Sequence, residues 1–422
     1  MQQQTLHNFF NIPNDKSFLG FSHVYLHWSH NYNNVRVEYS NSNCVKSQLV
    51  SNIVYKIDQQ KYKLNIMYKE EECDCASHDS SHDSSHDSSH DANYDTSSHN
   101  TNYEGNHDAN YEGNHTFSFG NSFLKSNLQK AVRRQNTEVA LSSAIGIDLG
   151  ELLRRLPIIM IEDTALHKSF CVLVWMMMAH SKGWKLRKCH YSYILGVISW
   201  MCSCPRYDRM IIYANNRMII NQINKNTKLA DILKDTNETM KTGIMSLVMR
   251  HNYGGMKGDM NMIIDFIKFY VNHSKVSDDN DNNDNNDVRE CLRECLRECV
   301  RECVRECVSE YYSQPIVGVD PTKIPTFSRQ DVIPAAIDQH CCNIATKIHS
   351  KWKEYSEHDL KKALWWGESH MNYRYQNTQY EENLLKDNAK YVHLYNKIKL
   401  DIDNYREVYI RLLFKNANKT QK

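Results

Sequence analysis

No stretch of this chain is apolar for long enough to cross a bilayer. The longest run, FCVLVWMMMA from Phe170 to Ala179, falls far short of the ~18 residues that a span requires and predicts a buried helix instead. No membrane partner is expected. The N-terminus also lacks a positively charged region followed by an apolar run, so the expected setting is intracellular and reducing. The 14 cysteines lack the spacing of a disulfide framework, five of them lying in one tandem repeat. Nothing reads Gly-x-x-x-x-Gly-Lys-Ser/Thr and no acidic Walker-B strand is visible, which argues against ATP hydrolysis. The nearest stretch, Gly254-Gly255-Met256-Lys257-Gly258-Asp259, follows a helical pattern without the hydroxyl residue and reads as a helix-breaking corner.

A formal net charge of +1 hides a segregation of sign. Glu70 to His115 holds twelve Asp or Glu and no Lys or Arg, whereas Thr116 to Lys275 carries 22 Lys or Arg against 11 Asp or Glu. A local net of +11 suits a polyanionic partner, although solvated helix faces account for such charge equally well.

At 422 residues and 41% hydrophobic content the chain is long enough for two or three domains. Alternating VRVEY (Val35 to Tyr39), IVYKI (Ile53 to Ile57) and YKLNIMY (Tyr62 to Tyr68) predict a small antiparallel sheet within residues 13–69, packed on the next domain. Residues 70–115 form a His/Asp-rich insert with little apolar surface, expected to be disordered; its seven histidines suit no more than weak transition-metal binding. A second insert, residues 277–310, joins an acidic Asn/Asp tract to RECL and RECV repeats. A four-residue repeat advances about 400° per unit on a helix, so Cys291, Cys295, Cys299, Cys303 and Cys307 trace one slowly winding band. That pattern reads as a repeat expansion more readily than as a metal site.

Residues 116–276 and 311–422 are helical in period, giving a mainly α fold with a small β-rich part and two low-complexity inserts. In FLKSNLQKAVRRQNTEVALSSAI, apolar Leu124, Leu128, Ala131, Val132, Val139 and Leu141 oppose Lys130, Arg133 and Arg134. Asp148 is placed to cap LGELLRRLPIIMIED, and Pro157 inside it predicts a kink or break. Arg133, Arg134, Arg154 and Arg155 lie on helices whose other face is apolar, so their guanidinium groups are expected to face outward toward phosphates. The competing expectation is that they pair with Glu138, Glu151, Glu162 or Asp163. Glu162 and Asp163 would otherwise be a metal or general-base pair, and ion pairing with Arg154 or Arg155 is the stronger reading. Asp338, His340 and Cys341 are a second candidate cluster, set in a helix expected to start after Pro334. Trp365 and Trp366 could stack bases, but paired tryptophans at helical spacing are more often core or interface.

The sequence begins MQQQTLHNFF, in which Leu6, Phe9 and Phe10 share a face on one helical turn and Gln3 lies beside them. This spacing resembles the peptide with which replication and repair proteins plug the ring clamp PCNA. The resemblance implies a sliding-clamp partner bound through Gln3, Leu6, Phe9 and Phe10 in residues 1–12; a docked N-terminal arm is the alternative. LQKAVRRQNTEVAL (Leu128 to Leu141) with LLRRLPIIMIEDTAL (Leu152 to Leu166) resembles the helical region after the ATPase core of the clamp-loader-like AAA proteins of the MgsA and Werner-helicase-interacting family. The matching positions are Leu128, Lys130, Ala131, Arg133, Ala140, Leu141, Arg154, Arg155, Leu156, Glu162 and Asp163, about forty residues in all. Without the motor, the resemblance implies the interaction or DNA-facing part of such a machine, with Lys130, Arg133, Arg134, Arg154 and Arg155 on the DNA side. Residue usage and repeats are similar to those of large eukaryotic DNA virus proteins, which implies a nucleus or viral replication compartment. The expected function is a non-catalytic, clamp-tethered accessory factor that needs no cofactor and binds DNA, with homo-oligomerisation open. The rival readings are a metal-dependent nucleic-acid enzyme and a structural or assembly protein.

Overall fold

The computed structural model describes residues 21–32, 34–44, 46–57, 60–71, 121–205, 238–274, 314–337, 342–375 and 379–420. They form a mainly α fold with one small four-stranded sheet. The strands are β1 (His23–Trp28), β2 (Arg36–Ser40), β3 (Gln48–Ile57) and β4 (Gln60–Glu70), in the order β2-β1-β4-β3. The sheet is mixed, which corrects the expected antiparallel one. Two antiparallel hairpins, β1 with β2 and β3 with β4, abut through a parallel pairing of β1 with β4 in the register Val24 to Ile66 and Leu26 to Tyr68.

The cause lies in the link after β2. It crosses the outer face of β1, where the Tyr25 hydroxyl donates to Ser42 O at 2.7 Å and accepts from Cys44 N at 2.9 Å. The link thereby carries the chain from one edge of the sheet to the other, and β4 returns beside β1 in the same direction. Alternation then sends Val24, Leu26 and Trp28, with Leu64, Ile66 and Tyr68, to the face that packs on helices.

Those helices are α1 (Asn121–Arg133), α2 (Thr137–Ile145), α3 (Leu149–Asp163), α4 (Ser169–His180), α5 (Lys188–Ser203), α6 (Glu238–Tyr253) and α7 (Lys257–Ser274). The helical stretch from Leu124 to Ile145 is divided into two helices. Gln135 takes the left-handed region at φ 54°, and Asn136 then caps α2 by accepting from Val139 N. Asp148 caps α3 as its position predicted, accepting from Glu151 N at 3.1 Å. Pro157 does not break α3, which is assigned as one helix from Leu149 to Asp163. The apolar run becomes α4, buried all round and bonded to the sheet by Trp175 Nε1 to Val24 O. Gly254 and Gly255, both at positive φ, make the corner between α6 and α7.

Residues 314–337 form an extended strap with three short 3₁₀ turns. His167 Nε2 donates to Gln314 O, Trp200 Nε1 donates to Gln314 Oε1 and Val319 N donates to Ser192 O. At its other end Asn127 bonds Asp331 O and Ile333 N as a strand neighbour would. Instead of a helix beginning after Pro334, one 3₁₀ turn (Pro334–Ala336) precedes α8 (Cys342–His349). The strap shares the core of the sheet and α1 to α7, whereas α8, α9 (Glu357–Leu364) and α11 (Ala389–Thr420) build a second, smaller core around Leu360, Ala363, Leu394 and Ile398. Between α9 and α11 lie a π-helical turn, Trp365–Ser369, and α10 (Gln379–Asp387). No helix among the described residues is long and apolar enough to cross a membrane.

Candidate functional site: an arginine latch and the aromatic turn it holds

Of the basic residues singled out in the sequence, Arg133 and Arg134 reach the seam between the two cores, while Lys130 and Arg155 are engaged by residues of the larger unit. Arg133, the last residue of α1, donates from Nε to Asp163 Oδ1 at 2.5 Å, from Nη2 to Glu162 Oε1 at 2.8 Å and from Nη1 to Ser369 O at 2.5 Å. Arg134 donates to Glu368 O. Arg155 bonds Gln129 Oε1 and lies 3.4 Å from Asp259. Lys130 is 3% exposed and donates to Ser126 Oγ. Only Arg154, whose side chain is 44% exposed and pairs with Glu151, faces solvent. The expectation of outward-pointing guanidinium groups is therefore corrected for Arg133, Arg134 and Arg155, and the Lys130 ammonium, expected on the DNA side, is buried as well. The polar face of α1 is real, but a turn more than 230 positions downstream covers it.

Glu162 and Asp163 end α3 as the acidic half of this latch, and their principal partner is Arg133, with Arg155 3.9 Å from Glu162. Gln129 donates to both carboxylates at 2.8 Å, and Asn372 Nδ2 donates to Asp163 O. Burial pushes the Asp163 carboxyl above the usual range while Arg133 pulls it down. Such a site spends its acceptors on fixed donors, which is the pattern of a structural ion pair.

Two further groups escaped the sequence reading. Arg374 donates to Val132 O and Cys204 O at 2.8 Å each, and also bonds Met201 O, so it closes the carbonyl ends of α1 and α5 together. Glu368 turns its carboxylate inward to Arg406 and Tyr395. Neither has a sequence signal, because each partner comes from a distant element.

The latch holds the π-helical turn at the surface. Trp366 stands edge-on to Trp365 at 5.0 Å and 89°, and His370 lies 5.2 Å from Trp365 and 4.3 Å from Trp366. His370 Nδ1 donates to Trp366 O at 2.9 Å. Burial lowers the pKa of His370 to about 4, with nearby Arg133 adding to the effect, so the ring is neutral at pH 7. Gly367 is required here, since a Cβ would lie 2.3 Å from the Tyr395 ring. Trp365 remains 45% exposed and Tyr373 41% exposed. A π turn of this kind recurs at functional positions.

A second concavity, of about 400 Å³, lies between the loop after β1 and the start of α5, lined by His30, Tyr32, Arg187, Cys189, Ser192 and Asp320. Its charges are paired: Arg187 and His30 with Glu70, and Lys188 3.9 Å from Asp320. Burial raises the Cys189 thiol, which keeps it protonated.

Gln3, Leu6, Phe9 and Phe10, the His/Asp-rich insert, the RECL and RECV repeats, and Asp338, His340 and Cys341 all lie outside the described residues. Among the described residues no group of three or more His, Cys, Asp or Glu is placed to hold a metal ion. No family model, curated protein or solved structure matches the chain.

Proposed function

We propose that the chain is a non-catalytic accessory factor of DNA replication or repair, tethered to a sliding clamp by its N-terminal peptide and acting in the nucleus or a viral replication compartment. The observation that carries this reading is the spacing of Gln3, Leu6, Phe9 and Phe10, which puts one aliphatic and two aromatic side chains on a single helical turn. The engagement of Arg133, Glu162 and Asp163 with one another supports binding over covalent chemistry for the helical region, because those groups serve the fold.

The test is calorimetry of the full chain against a sliding clamp. Phe9→Ala with Phe10→Ala is expected to weaken binding by about 2–4 kcal/mol, since two anchors leave one apolar pocket. Equal affinity for parent and variant would remove the clamp reading. A structural or assembly role is the second reading, favoured by the inward direction of the arginines.

A further inference from the structure

We propose that the turn Trp365–Ser369 and the end of α9 form a stacking platform for single-stranded nucleic acid. The proposal deepens the accessory-factor reading and rests on it only for the source of the strand.

The first observation is the exposure of Trp365. Trp28, Trp175 and Trp200 are buried, as a core places such rings, whereas Trp365 presents nearly half of its surface to solvent. The second is its support. Trp366 and His370 prop the ring on two sides, the Nδ1 bond of His370 fixes the turn from within, and Gly367 seats it on Tyr395. A ring held in place before binding loses little rotamer freedom when a base stacks on it.

The third observation is the sign of the surrounding charge. Between Leu360 and Tyr375 the charged residues are Lys361, Lys362, Glu368 and Arg374. Glu368 is buried against Arg406, and Arg374 is spent on backbone carbonyls. The exposed charges of the segment are thus Lys361 and Lys362, four and three positions before Trp365 and so on its side of the helix. An exposed aromatic ring beside two lysines, with Glu368 turned inward and Asp359 of the preceding turn 3.9 Å from Lys390, matches a polyanion whose bases have open faces. A duplex, with its bases already stacked on each other, offers the lysines phosphates but gives the ring nothing to stack on. Binding through such a platform is tolerant of sequence, since every base has a π face.

The experiment is fluorescence anisotropy of a labelled oligothymidylate with the full chain across a salt series, beside a duplex of equal length and thermal melts of every variant. Trp365→Ala is expected to weaken oligothymidylate binding about tenfold at unchanged melting temperature and salt slope. Lys361→Ala with Lys362→Ala is expected to reduce the salt slope by about 1.4, the value for two phosphate contacts on a single strand. Removal of residues 1–12 should leave both results intact, so a shortened chain that still binds the clamp as tightly as the parent would overturn the tethering and leave the platform standing. The platform is overturned if oligothymidylate does not bind at low salt, if Trp365→Ala binds it as tightly as the parent, or if the duplex binds equally well. A change in sedimentation of the free chain on Trp365→Ala, without strand binding, would assign the face to a second copy instead.

Discussion

Two of the tryptophan–histidine clusters among the described residues differ in depth, one lying in the core and one at the surface. Around His190, Trp28 lies at 4.3 Å, Trp184 at 4.9 Å and Tyr68 at 5.8 Å, and the imidazole is fully buried. Its Nδ1 accepts the Arg187 N–H, which leaves Nε2 facing the Tyr68 hydroxyl at 3.4 Å. Around His370 the rings are at similar distances, yet Trp365 is 45% exposed. Similar chemistry serves two ends. The inner cluster ties the sheet to α5, while the outer one has spare aromatic surface that the fold does not use.

Removing a ring from each cluster should separate them most sharply. Trp28→Ala is expected to cost about 3–5 kcal/mol in denaturant unfolding, because a large side chain leaves a packed site. Trp365→Ala should stay within about 0.5 kcal/mol of the parent. Equal losses would mean that the outer cluster is also core.

The latch beneath the outer cluster is the next place to press. Arg133→Ala strands a buried carboxylate and is expected to cost about 3 kcal/mol by the same measurement. Asp163→Asn in that background should recover part of the loss, whereas no recovery would mean that Ser369 O is the partner that matters.

Acid should cost the inner cluster more than the outer one. Burial lowers His190 from 6.5 to about 3, and His370 from 6.5 to about 4. Each therefore binds more protons unfolded than folded, so the associated stability is complete above pH 6.5 and is lost as pH falls toward those lower values. Melting temperature followed over this range should fall steeply for the parent, and less steeply for His190→Gln than for His370→Gln. His167, lowered to about 4 by burial, adds to the parent's fall. The smallest expected effect is that of excising Ser77 to His115, whose composition offers little apolar surface to a core. A shift in melting temperature beyond about 2–4 °C, equivalent to ~1 kcal/mol, would show that the insert contributes to the fold.

The features legible in the sequence are those whose causes are local. The alternation of VRVEY and YKLNIMY, the Asp148 cap, the corner at Gly254 and the fully buried FCVLVWMMMA helix each follow from neighbours a few positions apart. The parallel pairing of β1 with β4 was hidden because it depends on where the link after β2 crosses, and the Tyr25 hydroxyl that marks the crossing carries no periodic signal. The direction of Arg133 was hidden for a related reason. A helix face polar by periodicity reads the same whether water or a distant carbonyl meets it, and here the carbonyl belongs to Ser369. Trp365 and Trp366 were visible as a pair, but only the π turn decides that Trp365 is both braced and exposed.

The span of that latch sets an order on events during synthesis. Arg133 meets Glu162 and Asp163 within 30 positions, but Ser369 follows it by 236. At ~5–20 residues per second the ribosome needs roughly 10 to 50 s to deliver that carbonyl, long enough for α1 and α3 to have packed. The acidic half of the latch therefore closes on the nascent chain while Arg133 Nη1 still faces water. The C-terminal core then docks onto a guanidinium already aligned to receive it. A chain truncated before Ser369 would leave the Arg133 Nη1 donor without its carbonyl, so the seam between the two cores closes only when the C-terminal helices are present.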